Sequence, residues 1–105
     1  MSGRSPRQKG GRLERAVVRT LQEAGVDAKR VPLSGSAAGY PGDVVATIAG
    51  CNLTIECKAR KASPLYAWLE DRDALVLKAD RREPLVALRL EDLLNLLDVA
   101  QFGRT

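Results

Sequence analysis

Two neighbouring segments with alternating apolar residues constrain the fold of this chain more than any other feature. They are DVVATI (residues 43–48) and LTIECK (residues 53–58), and Ala49, Gly50, Cys51 and Asn52 separate them. Alternation is typical of strands with one buried face, and a short glycine-containing loop between two such strands predicts a β-hairpin. The sequence therefore predicts a β-sheet in the middle of the chain.

The segments on either side of the hairpin complete the fold prediction. Apolar residues from Leu13 to Ala24 recur at helical spacing, and Gly25 then provides a typical helix stop. The other predicted segments are a short extended piece at 28–33, a flexible turn at 34–42, a helix at about 63–71, strands at 73–78 and 85–90, and an amphipathic helix at 91–100. The order α-β-β-β-α-β-β-α predicts a mixed α/β sandwich.

Positive charge is concentrated at the N-terminus. The chain of 105 residues has 17 Lys and Arg against 13 Asp and Glu, a net charge of +4, and residues 1–12 contain four basic residues and no acid. This segment is also rich in Gly, Ser and Pro, so we predict a flexible basic arm at 1–12 and a single domain at 13–105. Such an arm either contacts phosphates or serves as a solubilising tail.

The residue types that are missing exclude several chemistries. There is no histidine and there are only two cysteines, Cys51 and Cys57, which excludes a zinc finger and any catalysis by imidazole. We interpret both cysteines as structural. No apolar run approaches the roughly 20 residues that span a bilayer, and no secretory signal is apparent, so a cytoplasmic location without membrane contact is expected.

The hairpin brings charged residues together. If Ile48 faces Leu53, then Lys58 faces Asp43 and Glu56 faces Val45, so that Asp43, Glu56 and Lys58 emerge on one face. The core face would hold the apolar positions Val44, Ala46, Ile48, Leu53, Ile55 and Cys57. Two neighbouring carboxylates suit Mg²⁺, with Mn²⁺ as a substitute, and a nearby ammonium can assist phosphodiester hydrolysis. The alternative is a solvated hairpin face on which Lys58 pairs with Asp43.

Four motifs in order resemble one nuclease family. KGGRLER (9–15) opens a helix, SGS (34–36) forms a loop, PGDVV (41–45) begins a strand and IECK (55–58) ends one. This arrangement is similar to the archaeal-type Holliday junction resolvase family (Hjc-like) of the PD-(D/E)XK nuclease superfamily. The resemblance covers residues 9–58 and implies a restriction-endonuclease-like fold, in which helices flank a mixed β-sheet. It departs from the pattern at Gly42, where the chain has Pro-Gly-Asp instead of Pro-Asp.

The resemblance also implies roles for individual residues. Asp43, Glu56 and the backbone carbonyl of Cys57 would be metal ligands, Lys58 would be the catalytic lysine, and Glu14 would complete the site directly or through water. Ser34 or Ser36 would lie near the scissile phosphate, unless SGS is only a flexible turn. The basic residues expected to contact DNA phosphates are Arg4, Arg7, Lys9, Arg12, Arg15, Arg60 and Lys61.

The expected activity is Mg²⁺-dependent, structure-selective cleavage of branched double-stranded DNA, without an organic cofactor. A nuclease for another DNA target, a non-catalytic DNA-binding module on the same fold and a protein-interaction domain are the alternatives. Two symmetric cuts at a four-way junction need two sites, so a homodimer is expected. Its surface could be the apolar C-terminal segment, which otherwise packs within the subunit and comprises Leu93, Leu94, Leu96, Leu97, Val99 and Phe102.

Overall fold

The computed structural model describes residues 6–31 and 43–102, with side chains described over 11–31 and 43–98. Its elements are α1 (Pro6–Glu23), β1 (Asp27–Arg30), β2 (Val44–Ile48), β3 (Cys51–Ile55), α2 (Pro64–Leu69), β4 (Leu75–Leu77), β5 (Leu85–Ala87) and α3 (Leu90–Phe102). The predicted α/β class and the order α-β-β-β-α-β-β-α are confirmed. Within the described ranges, no helix combines the length and the apolar character that crossing a membrane requires.

Helix α1 is longer than its apolar pattern indicates. It begins at Pro6, not at Leu13, so it includes half of the segment predicted as an arm; proline suits a first turn, where its missing N–H would have no partner in any case. Its end agrees with the prediction, because Gly25 has a φ of 85°. The Gly25 N–H donates to Gln22 at 2.9 Å and the Val26 N–H donates to Leu21 at 2.9 Å, which is the Schellman pattern.

The chain divides into a first unit, Met1–Arg60, and a second unit, Lys61–Thr105. In the first unit β1, β2 and β3 form an antiparallel sheet in that order. Its buried apolar side chains are Leu21 of α1, Ala28 of β1, and Val44 and Ala46 of β2. One face of the sheet and one face of α1 therefore supply the core, as two-layer packing requires.

The β2–β3 hairpin has a tighter turn than predicted. Ile48 pairs with Cys51, not Leu53, and only Ala49 and Gly50 form the loop, with φ values of 53° and 80°. Positive φ at both loop positions is the geometry of a type I′ turn, whose twist matches that of the strands. The predicted pairings of Lys58 with Asp43 and of Glu56 with Val45 are therefore wrong by two residues.

The new register changes the predicted core of the hairpin. A shift of two residues preserves which side chains share a face, but burial is less complete than expected. Leu53 is 40% exposed, and Ile48, Ile55 and Cys57 are only partly buried. Cys51 opens β3 as an exposed free thiol, so the structural role predicted for it is not supported by burial.

The second unit consists of α2, the β4–β5 hairpin and α3. Ser63 caps α2 by accepting the Leu65 N–H at 3.2 Å, and Pro64 follows the cap. The Arg89 guanidinium donates to the carbonyls of Leu69 and Arg72, each at 2.9 Å. These bonds tie the end of α2 to the residue before α3. The single nuclease-like domain over 13–105 stays a prediction.

Candidate functional site

Asp43 lies where β2 begins, and its backbone is bonded to both neighbouring strands. Its N–H donates to the Ile55 carbonyl at 2.7 Å, and its carbonyl accepts the Val31 N–H at 2.9 Å. Ile55 is also the partner of Val44, so Asp43 and Val44 share one residue of β3, as in a β-bulge. Bulges redirect side chains, and the simple alternation used in the sequence prediction does not extend to Asp43.

The carboxylate of Asp43 is held by the backbone that follows β3. Its Oδ2 accepts the N–H of Cys57 at 2.8 Å. A charged acceptor strengthens such a bond, and it joins residues 14 positions apart in the chain. The carboxylate of Asp43 is thereby fixed beside the E-x-K motif.

Glu56 and Lys58 form an ion pair just beyond β3, which ends at Ile55. Their Oε2 and Nζ atoms are 3.4 Å apart, and the side chains are 54% and 61% exposed. The alternative prediction of a pair between Lys58 and Asp43 is therefore wrong about the partner. Exposed pairs of this kind contribute at most about 1 kcal/mol, so both groups can exchange partners at little cost.

Glu14 is less exposed than Glu56 and is held by Arg30. Its Oε1 accepts from the Arg30 Nε at 3.2 Å and lies 3.2 Å from the Arg30 Nη2. The Glu14 side chain is 15% exposed and that of Arg30 is 40% exposed. This contact joins α1 to the end of β1, one residue before Val31, which bonds Asp43.

Cys57 is partly buried, and the acidic side chains that act on it disfavour its thiolate form. Burial raises the pKa of its thiol, and the negative charges of Asp43, Glu14 and Glu56 raise it further, in that order. These carboxylates come from α1, the start of β2 and the segment after β3. At neutral pH Cys57 is a thiol, which makes it a poor nucleophile.

The chemistry of these donors fits a hard divalent cation. Carboxylate oxygens and a backbone carbonyl are the ligands that Mg²⁺ and Mn²⁺ prefer. Within the described ranges no three acidic, cysteine or histidine side chains stand close enough together to hold an ion. Glu14 and Glu56 are instead engaged with Arg30 and Lys58.

The other predicted site residues are placed as follows. Arg4, Ser34, Ser36 and Gly42 lie outside the described residues. Arg7 and Lys9 belong to α1, but their side chains lie outside the described part. The exposed members of the predicted DNA-binding set are Arg12 and Arg15 on α1, Arg60 at the end of the first unit and Lys61 at the start of the second.

The sequence prediction missed Arg30. Its neighbour two positions earlier, Ala28, is buried, and residues two apart on a strand share a face. A cation at the inner position of a strand needs an anionic partner. That signal predicts an acid on the facing helix, and Glu14 is that acid.

These features define a small α/β protein with an acidic site formed by one helix and a β-hairpin. Residues 5–105 match the family described as archaeal Holliday junction resolvase (hjc). The match covers nearly the whole chain, well beyond the motifs at 9–58. The chain belongs to this family, and the resemblance read from the sequence is confirmed. No curated protein and no solved structure matches the chain.

Proposed function

We propose that this protein is a metal-dependent DNA endonuclease that hydrolyses phosphodiester bonds at four-way (Holliday) junctions. The observation that carries the proposal is the Asp43 carboxylate held beside the E-x-K motif, where its Oδ2 accepts the Cys57 N–H at 2.8 Å, in a member of the resolvase family. The chain has carboxylates at Asp43 and Glu56 but no histidine, which leaves a borrowed metal ion as the source of an activated water.

Asp43, Glu56 and the backbone carbonyl of Cys57 would hold Mg²⁺ or, as a substitute, Mn²⁺. Glu14 would complete the site directly or through water. When bound, the ion would offset negative charge on the phosphate oxygens and make a bound water more acidic. Binding would require Glu56 to turn from Lys58, a small cost for an exposed pair at 3.4 Å.

The chain itself supplies orientation and positive charge. The Cys57 N–H holds Asp43 through Oδ2, so this carboxylate is positioned before substrate arrives, which is the condition for efficient catalysis. Lys58, once released from Glu56, would donate hydrogen bonds to the attacking water or to a phosphate oxygen. The basic residues Arg12, Arg15 and Arg60 would contact neighbouring phosphates without sequence preference.

The test is cleavage of a labelled four-way junction beside a linear duplex with the same arm sequences, in Mg²⁺ and in EDTA. Wild type is compared with Glu56→Ala and with Glu23→Ala, an exposed α1 residue that controls for lost charge. We expect paired nicks confined to the junction, present only with metal and lost only in Glu56→Ala. Cutting of the linear duplex would favour a nuclease with another target, and tight binding without cutting would favour a non-catalytic module.

A homodimer belongs to the same proposal, because symmetric cutting of a junction needs two sites. The second unit supports it with exposed apolar side chains: Trp68 at 51%, Val76 at 68%, Leu85 at 60%, Val86 at 64% and Leu96 at 60%. Such a surface is typical of an association site. Light scattering after gel filtration should give twice the chain mass of 11.4 kDa. A single-chain mass at every concentration would contradict the dimer.

A further inference from the structure

Tyr66 is the most exposed large apolar residue in the described part of the chain. It is 81% exposed, and the next, Val76, is 68% exposed. Tyr66 belongs to α2, whose inner side consists of the half-buried Leu65 and the buried Leu69. A tyrosine ring that packs so little within its own chain is typical of a contact surface, because one end of the ring is apolar and the other is polar.

Helix α2 presents Tyr66 on a fixed support. Ser63 caps its first turn by accepting the Leu65 N–H at 3.2 Å, and Leu69 anchors its last turn at 8% exposure. The Arg89 guanidinium donates to the Leu69 carbonyl at 2.9 Å. A tyrosine has only two side-chain torsions, so little conformational entropy is lost when a partner immobilises its ring.

The segment around Tyr66 is positively charged. Residues 57–69 contain Lys58, Arg60 and Lys61 and no acid. The eight residues that lead from Lys58 to Tyr66 span at most about 29 Å, whatever path the chain takes, which is less than one turn of duplex DNA, about 34 Å. A DNA junction whose strand reaches Lys58 is therefore long enough to reach Tyr66 as well.

The position and chemistry of the ring favour a DNA base over a second copy of the chain. Tyr66 and Trp68 are two positions apart, roughly 200° around a helix, so Tyr66 does not share the face of Trp68, which belongs to the proposed dimer surface. Aromatic rings stack on bases of any sequence, since every base has a π-face. Base pairs at the centre of a four-way junction have no continuous neighbour on one side, so their faces are easier to reach than those within a duplex.

We propose that Tyr66 stacks on a base pair at the branch point and thereby selects junctions over linear duplex DNA. This inference rests on the proposed nuclease function and deepens it by naming a residue for structural selectivity. Contacts to phosphates do not provide that selectivity by themselves, because a linear duplex offers phosphates too. Tyr66 is thus a specificity-determining residue, and the cleavage chemistry stays with the E-x-K motif.

The experiment uses four-way junctions in which the fluorescent base 2-aminopurine lies either at the branch point or in the middle of one arm. Its fluorescence and the affinities for junction and linear duplex are measured in EDTA for wild type, Tyr66→Phe, Tyr66→Leu and Tyr66→Ala. Tyr66→Phe keeps the ring, whereas Tyr66→Leu keeps apolar bulk without a π-face. Replacing a side chain this exposed should leave the fold intact, which thermal unfolding checks.

Wild type and Tyr66→Phe should change the fluorescence of the branch-point base and not that of the arm base. Tyr66→Leu and Tyr66→Ala should change neither. In Tyr66→Ala the ratio of junction affinity to duplex affinity should fall about 5- to 150-fold, the range for one lost stacking contact.

Three results would overturn the stacking role of Tyr66 while leaving the nuclease function standing, provided that wild type still makes paired nicks in Mg²⁺. The first is a Tyr66→Ala variant that prefers junctions as strongly as wild type. The second is an equal loss in Tyr66→Phe, which would assign the effect to the hydroxyl group. The third is a single-chain mass of Tyr66→Ala in light scattering where wild type is a dimer. If wild type neither binds nor cuts the junction, the proposed function itself fails.

Discussion

Among the described residues, the first unit buries four apolar side chains, whereas the second buries Leu69 and leaves most of its large apolar side chains exposed. In the first unit Leu21, Ala28 and Val44 are at most 4% exposed, while Val76 and Val86 of the second unit face each other across β4 and β5 at 68% and 64%. The first unit has a helix of 18 residues beside a three-stranded sheet. A two-stranded hairpin offers no comparable layer.

The two units also differ in the contacts that their charged side chains make. In the first unit charged side chains make contacts across elements, as Glu14 does with Arg30 and Asp43 does with the Cys57 N–H. In the second unit Arg89 binds the backbone carbonyls of Leu69 and Arg72, which is a structural use. The comparison agrees with our proposal, in which the first unit would provide the chemistry and the second would provide surface for association.

The largest expected effect concerns the charge of Asp43. Asp43→Asn keeps an oxygen to accept the Cys57 N–H but removes the negative charge, so junction cleavage should fall at least about 100-fold, beyond the loss typical of a supporting residue. Junction binding in EDTA should be retained. Single-turnover rates check this, with Asp73→Asn in the second unit as the matched control. Equal losses in both variants would contradict the assignment of the chemistry to the first unit.

The difference in burial predicts a difference in stability. Leu21→Ala empties a position that is 2% exposed and should lower the free energy of unfolding by about 2–5 kcal/mol. Val86→Ala, at a position 64% exposed, should change it by less than about 0.5 kcal/mol. Urea unfolding of the full chain measures both. Val86→Ala could instead lower the free energy of unfolding strongly at a concentration where the protein is a dimer, and not after dilution. That result would assign Val86 to the association surface.

A smaller effect is expected from the Arg89 contacts. Arg89→Ala removes two charge-assisted bonds to carbonyls, and since the side chain is 49% exposed we expect a loss of about 1–3 kcal/mol. Arg82→Ala is the control, because Arg82 is 71% exposed and pairs with the adjacent Glu83 at 3.6 Å. Urea unfolding that ranks the two variants equally would show that Arg89 does not join α2 to α3.

The smallest effect separates the two cysteines. Burial and three carboxylates raise the pKa of Cys57, so less of it is thiolate than in the unfolded chain, and Cys51 is exposed. Iodoacetamide near neutral pH should modify Cys51 first, as measured by mass spectrometry of peptides. The difference in modification rate between the two cysteines should become smaller as the pH rises through the raised pKa of Cys57, because its thiol then loses its proton. Faster reaction of Cys57 would contradict a raised pKa of its thiol.

The sequence predicted the features that depend on residues close together in the chain. Alternation identified β2 and β3, Gly25 marked the end of α1, and the E-x-K motif with its preceding Asp indicated a nuclease-like site. It failed at the hairpin because the turn uses Ala49 at a φ of 53°, a conformation that residues with a Cβ rarely adopt. The residue pattern alone therefore favoured a longer loop between the two strands.

The amino-acid sequence by itself determined the order of elements, the family and the residue types of the site. Only the tertiary structure decided which atoms meet: Arg30 with Glu14, 16 positions apart, and the Cys57 N–H with Asp43, 14 positions apart. Local patterns report turns, periodicity and faces, which are properties of adjacent residues. Contacts across elements depend on how helix and sheet pack, and a one-residue shift at Asp43 is enough to redirect a carboxylate.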